Sequence, residues 1–410
     1  MIPRHNLQFG VGEILSLLVS PTLPVGSSDL EKACADALGV SAIILLPSVR
    51  VGIHMAIQAT GGPGMVVVGP AYTCETVHEA LAVSKARVRL IDLAPDAFLM
   101  SPGNIVAATE PGCALLLSEV YGIPYDQEIF QKVRGKALRV RILDMAMSIP
   151  MAEKMKKLEA RDVALFSFGW GKPMYAGWGG VACFQDLELA GRVREIRDRW
   201  SAPETFSLRL QHSGSILFRV VMNQRHLYGL SHERHLYRWY KSLAPLRSRQ
   251  GHASTTRGSG VPFGPGQASH ALGQEWTRPM TALNRKLALH NLHHSLESAD
   301  LRRYQAEIYS KELVEPGIVR GPGNKAMPES HFPVRVPSAV RDTLCDYLRG
   351  HGIDTSTLFP FPVQLSRDCY PHTAEAANEV LALPLGPSLT VEEVRWISRC
   401  LKEGLGALGC

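Results

Sequence analysis

Phe166-Ser-Phe-Gly-Trp-Gly-Lys172-Pro-Met-Tyr-Ala-Gly-Trp-Gly-Gly180 is the stretch from which the fold can be read. Upstream lies the apolar segment Val163–Phe168, and downstream lies Gly180–Phe184. Neither alternates apolar with polar residues, which is the pattern of strands buried on both faces. Between them, glycines and aromatic rings surround one lysine. Lys172 is therefore expected at the end of a buried sheet, where desolvation favours a neutral amine able to attack a carbonyl. A surface lysine in a loop would leave the same local signature, so the neighbouring segments have to decide.

Those segments repeat the pattern. Short apolar runs occur at Ala42–Leu46, Met65–Gly69, Val88–Leu93, Ala114–Ser118 and Val140–Leu143. Helix-like stretches separate them at Arg50–Ala59, Cys74–Val83, Gln127–Val133 and Leu187–Arg199. Strand alternating with helix predicts an α/β sheet covered on both sides. Asp144 then falls at the C-terminal end of a buried strand, pointing into the crevice where such sheets bind ligands. A helix N-cap is an equal reading of that aspartate. Pro47-Ser48-Val49-Arg50 leads into a helix whose first N–H groups are free, a natural seat for a phosphate, with Arg50 adding charge. A simple serine cap is the commoner use of Ser48.

The chain has 410 residues, enough for a large domain and a smaller one, with 45% hydrophobic and 20% charged residues. We expect an N-terminal arm over 1–30, a large domain over 31–290 and a small domain over 291–410. Val11–Val19 is read as a helix rather than a signal peptide, because Glu13 interrupts it. The apolar runs are too short to cross a membrane. Eight scattered cysteines, with no C-x-x-C pair, suit reduced thiols in the cytoplasm, and no metal-ligand spacing is present.

The net charge of +6 gathers between 201 and 262, where Arg209, Arg219, Arg225, Arg234, Arg238, Lys241, Arg247, Arg249 and Arg257 face only Glu204 and Glu233. This basic, aromatic insertion (201–266) suits an anionic partner or a solvated helix face. Its middle, Ile216 to Leu243, is expected to form one or two helices, and its end, Arg247 to Gly266, a loop. Its aromatic residues Phe218, Tyr228, Tyr237, Trp239 and Tyr240 suit a lid or a subunit contact. A helical run from Ala268 to Arg303 follows. The remainder reads as strand, helix, strand and helix, with a Thr390–Glu393 capping box.

The order and spacing of these elements resemble the DegT/DnrJ/EryC1/StrS sugar aminotransferases. Leu30–Val40 resembles the family's lead-in helix, Ser48–Ile57 its phosphate loop and Gly64–Thr73 its "GDEVIVPSYT" stretch. Tyr121-Gly-Ile-Pro124 with Asp126 resembles "YGxPAD", and Asp162–Phe184 the segment with the Schiff-base lysine. Phe359-Pro-Phe-Pro362 and Leu383-Pro384-Leu385, followed by Thr390-Val-Glu-Glu393, resemble the C-terminal landmarks.

The resemblance implies fold type I of the pyridoxal-phosphate enzymes. That fold has a three-layer α/β/α large domain with a mostly parallel sheet, plus a smaller α+β C-terminal domain. The implied cofactor is pyridoxal 5'-phosphate, carried by Lys172, with Asp144 on the pyridine nitrogen. Ser167, Ser48, Val49 and Arg50 are then at the phosphate, and Cys74 or Tyr72 beside the ring. Partners are a small-molecule amino donor, by analogy glutamate, and a keto acceptor, by analogy a nucleotide-linked keto-sugar. A homodimer is expected, with no nucleic acid and no integral membrane contact.

Several positions depart from the family. Val49-Arg50 replaces Gly-Thr, Met147 replaces a glutamine, Pro173 an asparagine and Glu119 a histidine. The "GYNYR" element that reaches the neighbouring subunit's phosphate is not found near Val261 to Gly264, and Arg50 or Arg257 is the candidate replacement. These changes leave open another pyridoxal-phosphate reaction on an amino acid (lyase, decarboxylase or carbon–carbon bond formation). A non-catalytic binding subunit is the third reading.

Overall fold

The computed structural model describes residues 1–5, 7, 9–19, 26–232, 273–313 and 327–410. Its main sheet has seven strands: β1 Ala42–Leu46, β2 Val66–Pro70, β3 Arg87–Ile91, β4 Ala114–Ser118, β5 Val140–Asp144, β6 Asp162–Ser167 and β7 Gly180–Phe184. They lie in the order β1-β7-β6-β5-β4-β2-β3. β7 pairs antiparallel with β1 and β6, and the other pairings are parallel. Parallel neighbours need long crossovers, and helices supply them. In this part they are α1 Val11–Val19, α2 Ser27–Leu38, α3 Val49–Thr60, α4 Glu75–Val83, α5 Pro102–Ala108, α6 Gln127–Arg134, α7 Ala152–Met155, α8 Leu187–Trp200, α9 Phe206–Met222 and α10 Arg225–His232.

Strand side chains divide between two cores with period two. In β1, Ile43 and Leu45 face one core while Ile44 and Leu46 face the other; β4 splits Leu115 and Leu117 from Leu116 in the same way. The first core is closed by Leu30, Cys34 and Leu38 of α2, Ile129 and Val133 of α6, and Ile216 and Val220 of α9. Val51, Ile53, Met55 and Ile57 of α3, with Leu189 and Val193 of α8, close the second. Each fully buried Ile or Leu contributes about 1.5–3 kcal/mol, so these cores outweigh any single cap or surface ion pair of about 1 kcal/mol. β3 lies at the edge of the sheet and exposes Arg87 and Arg89, charges that discourage pairing with another sheet.

Beyond the insertion lie α11 Ala282–His293 and α12 Ser295–Leu313. A second sheet pairs β8 His331–Arg335 antiparallel with β9 Val380–Pro384. α13 Ser338–Gly350, α14 Pro371–Glu379 and α15 Val391–Ala407 accompany it. Their core joins Phe332 and Val334 to Leu381, Leu383, Ile397 and Leu401, with Tyr309 of α12. Ile2 belongs to this core as well. Its N–H donates to the Gly352 carbonyl (2.7 Å), and its carbonyl accepts from Asp354 N–H (3.1 Å).

Most expected elements appear with ends shifted by a residue or two. Three differences have physical causes. The helical run from Ala268 to Arg303 is broken: Pro279 cannot continue a helix, and α11 starts only after Thr281, whose N–H donates to the Asn284 side chain (2.9 Å). In the insertion, the first helix starts at Phe206, ten residues before the expected Ile216, because Thr205 caps it by accepting from Leu208 N–H (3.2 Å). Tyr228 is buried and donates to Asp354 (2.6 Å), so it is part of the interior rather than of a lid. Tyr237, Trp239, Tyr240, Arg257 and the expected loop to Gly266 lie outside the described residues. Short α5, with Pro102 in its first turn, carried no readable signal.

The eight cysteines are unpaired. Among the described residues, no helix is long and apolar enough to cross a membrane, and no cluster of metal ligands is present.

Candidate active site

Six of the seven strands run in one direction, so their C-terminal ends share one edge of the sheet. Ser48 follows β1, Tyr72 follows β2, Ser118 ends β4, Asp144 ends β5 and Ser167 ends β6. β7, running the other way, starts there with Gly180. One topological feature thus gathers residues spread over more than a hundred positions.

Asp144 is 7% exposed. It pairs in register with Ser118 on one side and Leu165 on the other. The Ser118 hydroxyl donates to Asp144 Oδ2 (3.1 Å), and Ala146 N–H donates to Oδ1 (3.1 Å). Burial pushes the Asp144 carboxyl above its usual range; the positive charge of Lys172 is the largest influence pulling it back, ahead of the two hydrogen bonds. Lys172 and Asp144 therefore lie within electrostatic reach of each other.

Lys172 sits half-buried in the loop between β6 and β7. Gly171, with φ +76°, shapes that loop; a Cβ there would lie 2.9 Å from His5 Cε1, so only glycine fits both the backbone and the neighbour. Lys172 lines a small cavity with Arg4, His5, Arg302, Ser330 and His331. Burial pushes the His331 imidazole down to about 3, with Arg302 and Lys172 acting in the same direction, so it is neutral. Its Nδ1 lies 2.8 Å from the Ser330 hydroxyl.

The start of α3 lies beside the first residue of β7. Ser48 is the N-cap residue of α3, yet its hydroxyl makes no cap bond and has no partner in the protein. A Cβ added at Gly180 would meet the Phe166 carbonyl at 2.7 Å and Val49 N at 3.5 Å, so the glycine lets the α3 start lie against β7. Ser167, paired with Gly180, accepts from Gly169 N–H (3.2 Å). An unpartnered hydroxyl, free N–H groups at a helix start and a second serine form a cradle fit for an anion. Arg50 is engaged elsewhere: it pairs with Glu79 (2.7 Å), and its guanidinium lies 6.0 Å from the centre of the Trp276 ring.

Tyr72 and Cys74 are placed differently from each other. Tyr72 is buried, its hydroxyl 2.6 Å from that of Tyr121 and its ring edge-on to Phe359 at 5.4 Å. It belongs to an aromatic cluster between the sheet edge and the proline-rich turn. Cys74 is half-buried at the N-cap of α4, and its sulfur accepts from the Thr76 hydroxyl (3.2 Å). Met147 stands where the family has glutamine, and its sulfur accepts from Tyr121 N–H (3.3 Å).

Several residues of this edge escaped sequence reasoning. Ser118 ends an apolar run just as Asp144 does, so the same strand-end rule would have found it. His5, Arg302 and His331 arrive from distant segments and left no local signal.

Comparison with known proteins agrees with this fold. The chain is 25% identical over 364 residues to the "Pleiotropic regulatory protein" of Geobacillus stearothermophilus, a match covering 86% of this chain and 82% of that protein. Among solved structures, the aminotransferase TlmJ from Streptoalloteichus hindustanus superposes with a TM-score of 0.70 at 20% identity, over 100% of both chains. NtdA from Bacillus subtilis, solved with bound cofactor PMP, gives 0.69 at 19% identity, over 99% of this chain and 84% of that one. The sugar aminotransferase CalS13 from Micromonospora echinospora gives 0.67 at 20% identity, over 98% and 100%. At these identities the structures establish the fold. The sequence profile of one family matches residues 24–214 and 267–402, leaving out 215–266 of the basic insertion. The chain belongs to the DegT/DnrJ/EryC1/StrS aminotransferase family.

Proposed function

We propose that this aminotransferase moves the amino group of an amino acid, glutamate, to a nucleotide-linked keto-sugar, using pyridoxal 5'-phosphate. When bound, that cofactor supplies an aldehyde for the amine and a ring that accepts electron density from the substrate α-carbon. The observation that carries the reading is one shared sheet edge, where the buried Asp144 ends β5 and Lys172 lies in the loop between β6 and β7, near enough for its charge to act on that carboxyl. An amine and a carboxylate so placed can serve the aldehyde and the ring nitrogen of one cofactor.

The residues present fit that group. Ser48, with the first N–H groups of α3, and Ser167 would hold the phosphate. Asp144 would hold the ring nitrogen; Ser118 and Ala146 keep its carboxylate oriented. Cys74, at the start of α4, would lie beside the ring. Lys172 would hold the cofactor's aldehyde and, as a free amine, move the proton at the substrate α-carbon. His331, neutral and buried, contributes no competing charge beside that amine. His5, Ser330 and His331 line the small cavity beside the lysine.

The sugar acceptor is supported by CalS13, a sugar aminotransferase of the same fold, and glutamate by family analogy. A homodimer is proposed because active sites of this fold type usually lie between subunits. The eight unpaired cysteines suit the reducing cytoplasm. Met147 and Glu119, standing in for a glutamine and a histidine, favour a second reading in which the same cofactor serves another reaction on an amino acid.

One experiment separates these. Purified protein should bind the cofactor with a new absorbance band, and borohydride reduction should fix it to Lys172 by mass; Lys172→Ala should lose both, with turnover down about 10²–10⁴-fold. Glutamate should convert the bound cofactor to its pyridoxamine form and release 2-oxoglutarate. Cofactor fixed to Lys172 but unchanged by any amino donor would favour the second reading. No attachment at Lys172 would end the first.

A further inference from the structure

Glu119 follows Ser118, the residue that holds Asp144, and its N–H donates to the Asp144 carbonyl (2.9 Å). Its carboxyl Oε2 lies 2.5 Å from the Ser148 hydroxyl. The titratable and charged groups facing it are Asp144 at the end of β5, Lys154 of α7, Glu329 ahead of β8 and the phenol of Tyr125. Glu329 is already satisfied, accepting Ile149 N–H (2.7 Å) and the Lys154 ammonium (2.6 Å). Asp144 lies in the field of Lys172. Of these three carboxyls, Glu119 accepts a single hydrogen bond, from the Ser148 hydroxyl, whereas Asp144 accepts two and Glu329 accepts one of its two from an ammonium. Glu119 is half-buried, and ionising it would place a second negative charge beside the buried Asp144 carboxylate, which is costly. Burial pushes Glu119 up to about 7; Lys154 and Ser148 offset this in part, and Glu329 and Asp144 add to it.

We propose that Glu119 is a positioning residue for Asp144, holding a proton while Asp144 is ionised and, on losing it to solvent, adding a second negative charge beside the carboxylate that meets the cofactor's ring nitrogen. This rests on the cofactor reading above. A protonated ring nitrogen bound at Asp144 favours the ionised form of Glu119. By linkage, each unit by which binding lowers its pKa makes cofactor binding about tenfold tighter above the transition than below it. In the protein without cofactor the sign is opposite for folding. The folded-state value lies above the ordinary 4.5, so this carboxyl's contribution to stability fades as pH rises from 4.5 to about 7.

The test titrates wild type, Glu119→Gln and Lys154→Gln through the neutral range with two readouts. The first is the infrared carbonyl stretch of un-ionised carboxyl in cofactor-free protein. The second is the dissociation constant of pyridoxal 5'-phosphate. Wild type should lose the infrared band with a midpoint near 7 and bind the cofactor more tightly across the same midpoint. Glu119→Gln should lack the band and show flat binding over that range. Lys154→Gln, which removes the opposing cation, should move the midpoint upward. A band or a binding step that persists in Glu119→Gln overturns the proposal, as does a midpoint in the ordinary carboxylate range. If Glu119→Gln does not fold, the Lys154→Gln shift decides. If no form binds the cofactor, the functional reading fails, while the infrared band still judges the proton on Glu119.

Discussion

At the residue scale, Ser48 shows what the structure adds to the sequence. From sequence its commoner use is a helix cap, yet its buried hydroxyl makes no cap bond and has no partner in the protein. A capping serine replaced by alanine destabilises a protein by roughly 0.5–2 kcal/mol. Ser48 has no such bond to lose. Ser48→Ala should therefore leave the melting temperature of the cofactor-free protein unchanged. It should weaken pyridoxal 5'-phosphate about tenfold or more, the effect of one hydrogen bond to a charged group, roughly 1.5–3 kcal/mol. A lowered melting temperature with unchanged cofactor affinity would return Ser48 to a structural role. Lys172 and Asp144 were legible because each terminates or follows an apolar strand. Glu119 was legible only as a departure from a pattern; its environment depends on Lys154 and Glu329, which no local spacing connects to it.

At the scale of elements, legibility follows burial. β1, β4, β6 and β7 were read almost to the residue because both their faces are apolar and their ends are marked by Gly, Pro or Ser. β3 was read displaced by one residue at its start and two at its end, since an edge strand with Arg87 and Arg89 has a weaker pattern. Helices were harder where breakers act through geometry, as at Pro279. The closing helix α15 was announced by its capping box, and the structure shows both bonds: Thr390 N–H donates to Glu393 Oε2 (2.9 Å), and Glu393 N–H donates to the Thr390 hydroxyl (3.2 Å). Thr390→Ala removes one of them. It should lower stability by about 1 kcal/mol, seen as a lower urea midpoint at unchanged slope, with faster amide exchange confined to the first turn of α15. Unchanged exchange there would mean that packing of Val394 and Ile397, rather than the cap, fixes the helix start.

At the scale of the whole molecule, the N-terminus does something that an arm read from sequence alone does not suggest. Residues 1–5 run as a strap from the core around the second sheet to the loop between β6 and β7. Ile2 is hydrogen-bonded to Gly352 and Asp354, Arg4 pairs with Asp354 (3.5 Å), and His5 packs against Gly171, Trp170 and His331. Asp354, 4% exposed, also accepts from Tyr228 (2.6 Å) and faces Arg349 (3.8 Å). One buried carboxylate thus joins the strap, the insertion's second helix and the small domain. Asp354→Asn keeps the shape and removes the charge. It should lower stability by about 1.5–3 kcal/mol, as for hydrogen bonds to a charged group, speed amide exchange at Ile2, and leave exchange in β4 and β5 unchanged. Because Arg4 and His5 of the strap line the cavity beside Lys172, the same variant should release bound cofactor faster while its spectrum stays the same. If Ile2 exchanges as slowly as in wild type, the strap is held by the Ile2 core contacts alone, and Asp354 merely satisfies Tyr228.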